Sequence, residues 1–328
     1  MATLVRALFD VAPLTGAPAP FNSVFLKIYY PADSGTALDP RAGGEFAVDS
    51  QFGLMPVAII MPGINTDTSS YGWLARSLAA KGIVCLCYQY IAEEFPGMVS
   101  ATPGLEVAAL SPNEYGKHPS ATILDDLLQR LRRHNTEGVL AGRLDLERIY
   151  LGGHSAGGTV ALLNADPNWF PGVCGCFSYG SHSAPAKVLN WPEGDYIPLP
   201  GKLPTLIMGG TEDGSITNSV HYYNANVGAD DAAEPLVGTF DNALVRQQGD
   251  CLLAIWQGAN HYCWVHPNDH TTGRSAIDLP SKADPDQLRA AMTDVVAEFI
   301  LSDGKRQHIE SLAKRLQTHP LIAKLDYK

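Results

Sequence analysis

Glu147-Arg148-Ile149-Tyr150-Leu151-Gly152-Gly153-His154-Ser155-Ala156-Gly157-Gly158-Thr159-Val160-Ala161-Leu162-Leu163-Asn164 is the stretch on which the fold turns. Its first half is an apolar run ending in glycine, the pattern of a buried strand, and its second half suits a helix. Between them, Gly153-His154-Ser155-Ala156-Gly157 has the form of a nucleophile elbow, a strained strand-to-helix turn that lifts a serine hydroxyl into a pocket. Small neighbours are required there because the backbone passes close to other chain. Such a pattern arises by chance about 0.2 times in a chain of this composition, so the strand before it and the helix after it carry the reading. The plain alternative is a glycine-rich turn with a capping serine. A helix beginning at Ser155 would aim its N-terminal dipole and the Ala156 N–H at negative charge developing on an oxygen beside the serine. His154, at the variable position of the elbow, reads as a packing residue.

Working outward, apolar runs alternate with helix-period stretches, which predicts a mostly parallel central sheet flanked by helices, an α/β fold. Residues 24–32 read as an early strand, and 33–53, rich in proline and glycine, as a long loop. Val57-Ala58-Ile59-Ile60-Met61 is a buried strand. Residues 69–82 form an amphipathic helix ending at Gly82, and 83–90 are the next strand. Residues 120–135 have helical spacing with Ser120 as cap. Residues 172–180, 203–210 and 251–258 are further strands, the last being the final one, with helices near 285–301 and 304–318 closing the chain. Two insertions interrupt this order. Residues 91–119, with Pro96, Pro103, Pro112 and Pro119, read as an irregular excursion, and 218–249 carry Tyr222, Tyr223 and Phe240 in a polar background; either is a candidate wall or lid. With no repeat or shift in composition, the reading is a single domain over 1–328 with its core at about 20–302.

A serine is a poor nucleophile at neutral pH and needs a base that is itself oriented by a carboxylate. In a fold with this elbow the chain order is serine, acid, histidine, each just after a strand end. After 203–210 comes Thr211-Glu212-Asp213-Gly214, so Asp213 is the candidate acid and Glu212 the alternate. After 251–258 comes Ala259-Asn260-His261-Tyr262, which makes His261 the candidate base, with His266 next and His270 and His221 weaker. The second oxyanion donor belongs on the loop after Met61, where Gly63 lets the chain turn; Ile64 is preferred and Asn65 is the alternative. Tyr90, Phe95, His182, Trp191 and Trp264 lie near strand ends and are candidates for an apolar pocket, with core packing as the competing role of each.

The chain of 328 residues is 45% hydrophobic with a formal charge of −11. That balance lacks the clustered basic footprint of a nucleic-acid or anionic-membrane binder. No segment approaches the roughly 18 apolar residues of a membrane span, and the first residues lack the basic start and long apolar stretch of a signal peptide, so a cytoplasmic protein is expected. Histidines and cysteines lack the paired spacing of a zinc site, and the chemistry needs neither metal nor organic cofactor. Six cysteines are present; Cys85/Cys87 and Cys174/Cys176 lie two apart in strands and cannot close on themselves. Cys251 and Cys263 flank a short strand and are a candidate bridge in an oxidising compartment.

With these pieces together, residues 56–301 resemble α/β hydrolases of the branch that holds dienelactone hydrolases, chlorophyllases, platelet-activating-factor acetylhydrolases and cutinase-like polyester hydrolases. The resemblance rests on Met61-Pro62-Gly63 followed by 69–82, on 146–158, on Leu206-Ile207-Met208-Gly209-Gly210-Thr211-Glu212-Asp213-Gly214, and on Gln257-Gly258-Ala259-Asn260-His261-Tyr262-Cys263-Trp264. It implies a serine hydrolase of carboxylic esters with Ser155 as nucleophile, Asp213 as acid, His261 as base, and Ile64 and Ala156 as backbone donors. The substrate would be a small ester with an apolar portion. The elbow serine departs from the cysteine of true dienelactone hydrolases, and Gln89 stands where many relatives have aspartate. Two other functions stay open: acyl transfer or cyclisation with the same triad, and non-catalytic ligand binding.

Overall fold

The structure, a computed structural model, describes residues 3–35, 46–95, 97–224 and 231–328. In chain order its elements are β1 (Leu4–Pro13), β2 (Ser23–Ala32), β3 (Met55–Met61), α1 (Gly72–Ala79), β4 (Val84–Gln89), β5 (Ile91–Phe95), β6 (Met98–Ala101), α2 (Leu124–Thr136), β7 (Leu144–His154), α3 (Ala156–Asn164), β8 (Val173–Tyr179), β9 (Thr205–Gly210), α4 (Gly214–Thr217), α5 (Glu234–Gly238), β10 (Cys251–Trp256), α6 (Pro285–Ser302), α7 (Arg306–Gln317) and β11 (Ile322–Tyr327).

Nine strands form one sheet in the order β1-β2-β4-β3-β7-β8-β9-β10-β11. From β4 to β10 every pairing is parallel, while β1 and β2 at one edge and β11 at the other are antiparallel. The result is a mixed α/β architecture with a large, mostly parallel central sheet flanked by helices. Strands β3, β9 and β10 are buried at every residue, because helices cover both faces of a parallel sheet. Alternate residues of β3 serve the two cores: Val57 and Ile59 pack with Leu127, Leu131, Val160 and Leu163 of α2 and α3, and Ala58 and Ile60 with Leu74, Val296 and Leu312 of α1, α6 and α7.

Helix α2 shows how the sequence sets one of these layers. Leu124, Leu127, Leu128 and Leu131 recur at helical spacing and are buried, Asp125 and Asp126 sit in the first turn, and Arg133 and His134 in the last, each charge matched to the helix dipole. Removing one such leucine, as in Leu131→Ala, costs about 2–5 kcal/mol through lost burial and the cavity left behind. The expected cap is not used. Ser120 lies four residues before the helix and is held by buried Asn164, which accepts its N–H at 2.9 Å and donates to its hydroxyl at 2.9 Å.

The structure also adds to or departs from the sequence reading elsewhere. The N-terminal ten-residue strand β1 pairs with β2 over its whole length, and β10 is not the last strand, because β11 adds to its free edge. Residues 91–119 begin with a regular β5–β6 hairpin; Pro96 and the side chain of Phe95 lie outside the described residues. Within 218–249, α5 runs into a π turn at Thr239–Ala243, and residues 225–230 lie outside the described part, as do 36–45 of the long loop. Cys251 and Cys263 are both free and buried. Cys251 opens β10 and Cys263 lies in the short helical turn beyond its far end, with the whole strand between them. Among the described residues no helix is long and apolar enough to cross a membrane.

Candidate active site

The carboxyl ends of β3, β7, β8, β9 and β10 converge, and the loops leaving them carry Gly63, Ser155, Gly180, Asp213 and His261 in turn. This is the edge at which open parallel sheets present their ligand sites.

At the end of β7 the chain turns sharply at Ser155, whose φ of 53° and ψ of −127° belong to a region that costs a residue with a Cβ about 1–3 kcal/mol. The turn is held by its own backbone: Ser155 N–H donates to the Tyr179 carbonyl at 3.0 Å, and the Ser155 carbonyl accepts from Thr159 N–H at 3.0 Å and the Ser181 hydroxyl at 2.8 Å. Gly157 is needed because a Cβ there would lie 2.3 Å from the Met61 carbonyl oxygen. Helix α3 begins at Ala156.

After β9, Asp213 is fully buried. One of its oxygens accepts from Ile216 N–H at 2.9 Å, capping α4, and the other lies 2.7 Å from His261 Nδ1. Since a carboxylate only accepts, His261 donates from Nδ1 and its Nε2 keeps the free lone pair of a base. Burial alone pushes the His261 imidazole down, but the charge and hydrogen bond of Asp213, with Asp278 adding, hold it above the usual histidine value. Gly180 leaves room for the pair: a Cβ there would meet His261 Nδ1 at 2.8 Å and the Asp213 carboxylate at 3.1 Å.

On the β3 loop, Asn65 N–H is committed to the Ala101 carbonyl at 2.8 Å, and Asn65 Oδ1 accepts from Ala101 N–H at 3.1 Å. The β5–β6 hairpin thereby pins this loop. Ile64 N–H and Ala156 N–H have no acceptor among the described residues, which is what an oxyanion donor requires. The Ser155 hydroxyl likewise makes no hydrogen bond among the described residues. Serine–base contacts in unliganded sites are commonly long and tighten only with substrate.

The other candidates fall elsewhere. Glu212 turns to Lys282, 2.8 Å away. His266 is exposed, His270 lies 3.3 Å from the Ser275 hydroxyl and His221 stacks on Tyr222. Gln89 accepts Thr68 N–H at 2.8 Å, which gives it a structural task. Trp264 is core, stacked on Tyr179 with ring centroids 5.1 Å apart, and Trp191 donates to the Leu110 carbonyl. Tyr90 is buried in the core. His182 does line a narrow cleft with Ala184, Ile216, Val220, Tyr223 and Pro235. Burial, partly offset by the Asp213 charge, lowers the His182 imidazole to about 4, so this wall is neutral and largely apolar.

No protein-family model matches this sequence, and no curated protein matches it. The side chains themselves must therefore carry the functional reading.

Two residues beside the site have roles the sequence reading did not assign. His154 is no mere packing residue: its Nδ1 lies 3.0 Å from the Tyr71 hydroxyl and its Nε2 3.1 Å from the His261 carbonyl. The second is Asp278, which accepts N–H groups from Gly214 at 2.8 Å and Tyr262 at 3.0 Å. Its place in the elbow drew attention to His154 but not to these bonds. Asp278 carried no local signal.

Proposed function

We propose that this chain is a serine hydrolase of the α/β-hydrolase type that cleaves small, uncharged carboxylic esters. The observation that carries this reading is the buried Asp213–His261 hydrogen bond of 2.7 Å, set at the same sheet edge as a serine in a strained strand-to-helix turn. Ser155 attacks the acyl carbon as His261 Nε2 takes its proton; Ile64 N–H and Ala156 N–H receive the oxyanion; the imidazolium then protonates the leaving alcohol. Water, activated by the same imidazole, releases the acid. Asp213 keeps the imidazole in the required tautomer and stabilises its charged form.

The neutral, apolar wall at His182 suits an apolar portion of the substrate, and a formal charge of −11 works against an anionic one. The test is to treat the protein with a fluorophosphonate probe, map the labelled residue, and measure turnover of p-nitrophenyl esters of graded chain length. Labelling at Ser155 together with ester turnover is expected. Folded protein that is unlabelled at Ser155, or a Ser155→Ala variant that keeps its turnover, would remove the proposal.

A further inference from the structure

Residues 277–279 pass over the turns that carry Asp213 and His261, and they are bonded to both. From the acid side, Gly214 N–H, shared with the Glu212 carbonyl, donates to Asp278 Oδ1 at 2.8 Å, and the Asn218 amide donates to the Ile277 carbonyl at 2.8 Å. From the base side, Tyr262 N–H donates to Asp278 Oδ2 at 3.0 Å, and the Asn260 amide donates to the Leu279 carbonyl at 2.7 Å. The two oxygens of one carboxylate thus fix the residue directly after Asp213 and the residue directly after His261. The crossing is so close that a Cβ on Gly214 would lie 2.3 Å from Leu279 N, which gives glycine at 214 its reason.

We propose that Asp278 is a positioning residue for the hydrolysis, a carboxylate clamp that makes the acid turn and the base turn one rigid unit and adds a second negative charge facing the imidazole. The inference rests on the serine hydrolase reading for its catalytic consequence. The clamp geometry stands independently. Catalysis of this type depends on sub-ångström placement of the base, so a clamp on the backbone beside both partners acts on kcat more than on substrate binding. Burial and the facing Asp213 charge push the Asp278 carboxyl up, while the Tyr262 and Gly214 N–H groups and His261 pull it down, with the balance upward; the Leu279 N–H also donates to it, at 3.0 Å.

The test uses the full chain. Asp278→Asn keeps the size, but its amide nitrogen opposes one of the two N–H donors. Expected are a kcat lowered about tenfold to a hundredfold with KM within about threefold, an acid limb of kcat/KM moved to lower pH, a lower His261 pKa by NMR titration, and faster amide exchange at Gly214 and Tyr262. The pKa sign follows from removing a charge that stabilises the imidazolium. Asp278→Glu, which keeps the charge but not the reach, is expected to restore the His261 pKa without restoring kcat.

Wild-type kcat, an unshifted limb and retained amide protection in Asp278→Asn would overturn the proposal. If the wild-type protein neither turns over esters nor takes the fluorophosphonate at Ser155, the hydrolase reading fails, and the NMR titration and exchange still decide the clamp. If Asp278→Asn does not fold, exchange in the wild type decides: the Gly214 and Tyr262 amides open together if the clamp holds them, and independent opening refutes it.

Discussion

His154 and His261 are joined through a hydrogen bond of 3.1 Å from His154 Nε2 to the His261 carbonyl, with their rings 4.6 Å apart between centroids. The carbonyl end fixes the first step: the His261 carbonyl can only accept, so His154 carries a proton on Nε2. A neutral ring then accepts at Nδ1 from the Tyr71 hydroxyl, which itself accepts from Gly63 N–H at 2.9 Å. Burial, with the charge of His261, holds His154 well below the usual histidine value, against a smaller upward pull from the carbonyl bond. The loop after β3, the turn at Ser155 and the loop carrying His261 are thereby tied together.

Breaking this chain strands buried groups. His154→Leu is expected to lower stability by about 2–4 kcal/mol and Tyr71→Phe by about 1–3 kcal/mol, since each leaves buried donors or acceptors unpaired. Urea unfolding checks both, and values within about 0.5 kcal/mol of wild type would show that the network is not maintained in solution.

Backbone strain at Ser155 separates stability from activity. Both Ser155→Ala and Ser155→Gly are expected to lose ester turnover by about 10³-fold or more. Glycine alone relieves the φ of 53°, so Ser155→Gly should be more stable than Ser155→Ala by about 1 kcal/mol. Paired thermal melts of the two variants measure the difference, and the opposite order would argue against strain.

The pH profile follows from the His261 pair. The base acts only when neutral, and its pKa is held above the ordinary 6.5, so kcat/KM is expected to fall on acidification through a midpoint above 6.5. For stability the sign is reversed: a histidine raised on folding contributes below its unfolded pKa, and that contribution is lost as pH rises through the folded value. Asp213→Asn should lower kcat by about 10⁴-fold by favouring the wrong tautomer. A flat profile between pH 5 and 8 (the ordinary histidine range) would count against His261 as base.

Far from the site, Asp10 on β1 holds Arg130 and His134 of α2, with an Arg130 bond of 2.5 Å and a His134 bond of 2.6 Å. Burial pushes the Asp10 carboxyl up, but Arg130, the Val11 N–H and His134 outweigh it and bring it down to about 2. A depressed carboxylate contributes stability above its unfolded pKa of 3.8 and loses it as pH falls toward 2. Asp10→Asn should therefore cost about 1–2 kcal/mol at pH 7, allowing for solvent screening, and almost nothing near pH 2. Denaturant titrations of both proteins at the two pH values make the comparison.

The parallel centre of the sheet was legible because strands covered on both faces read as unbroken apolar runs, as in Val57–Met61 and Leu252–Trp256. The edges were not. Strand β1 is mostly half-exposed and broken by Arg6 and Asp10, and β11 is short and broken by Lys324 and Asp326, so neither offers an unbroken run, and their partners exist only once the sheet is assembled. The 91–119 segment hid its hairpin behind prolines and acidic residues. Chain order and strand ends pointed to Ser155, Asp213 and His261. The choice between Ile64 and Asn65 needed the hairpin bond to Asn65, and Asp278 lies 64 residues from Gly214 and 16 from Tyr262, distances that no local pattern spans.

Sequence alone determined the alternation of buried strands and helices, the elbow and the order of the residues around it, because these depend on periodicity and on contacts between near neighbours. Tertiary structure alone decided that His154 bridges Tyr71 and the His261 carbonyl, and that one aspartate is bonded to two loops. Each of those depends on the direction of a side chain in a crowded interior, where a hydrogen bond exists only if folding brings its donor and its acceptor within about 3 Å.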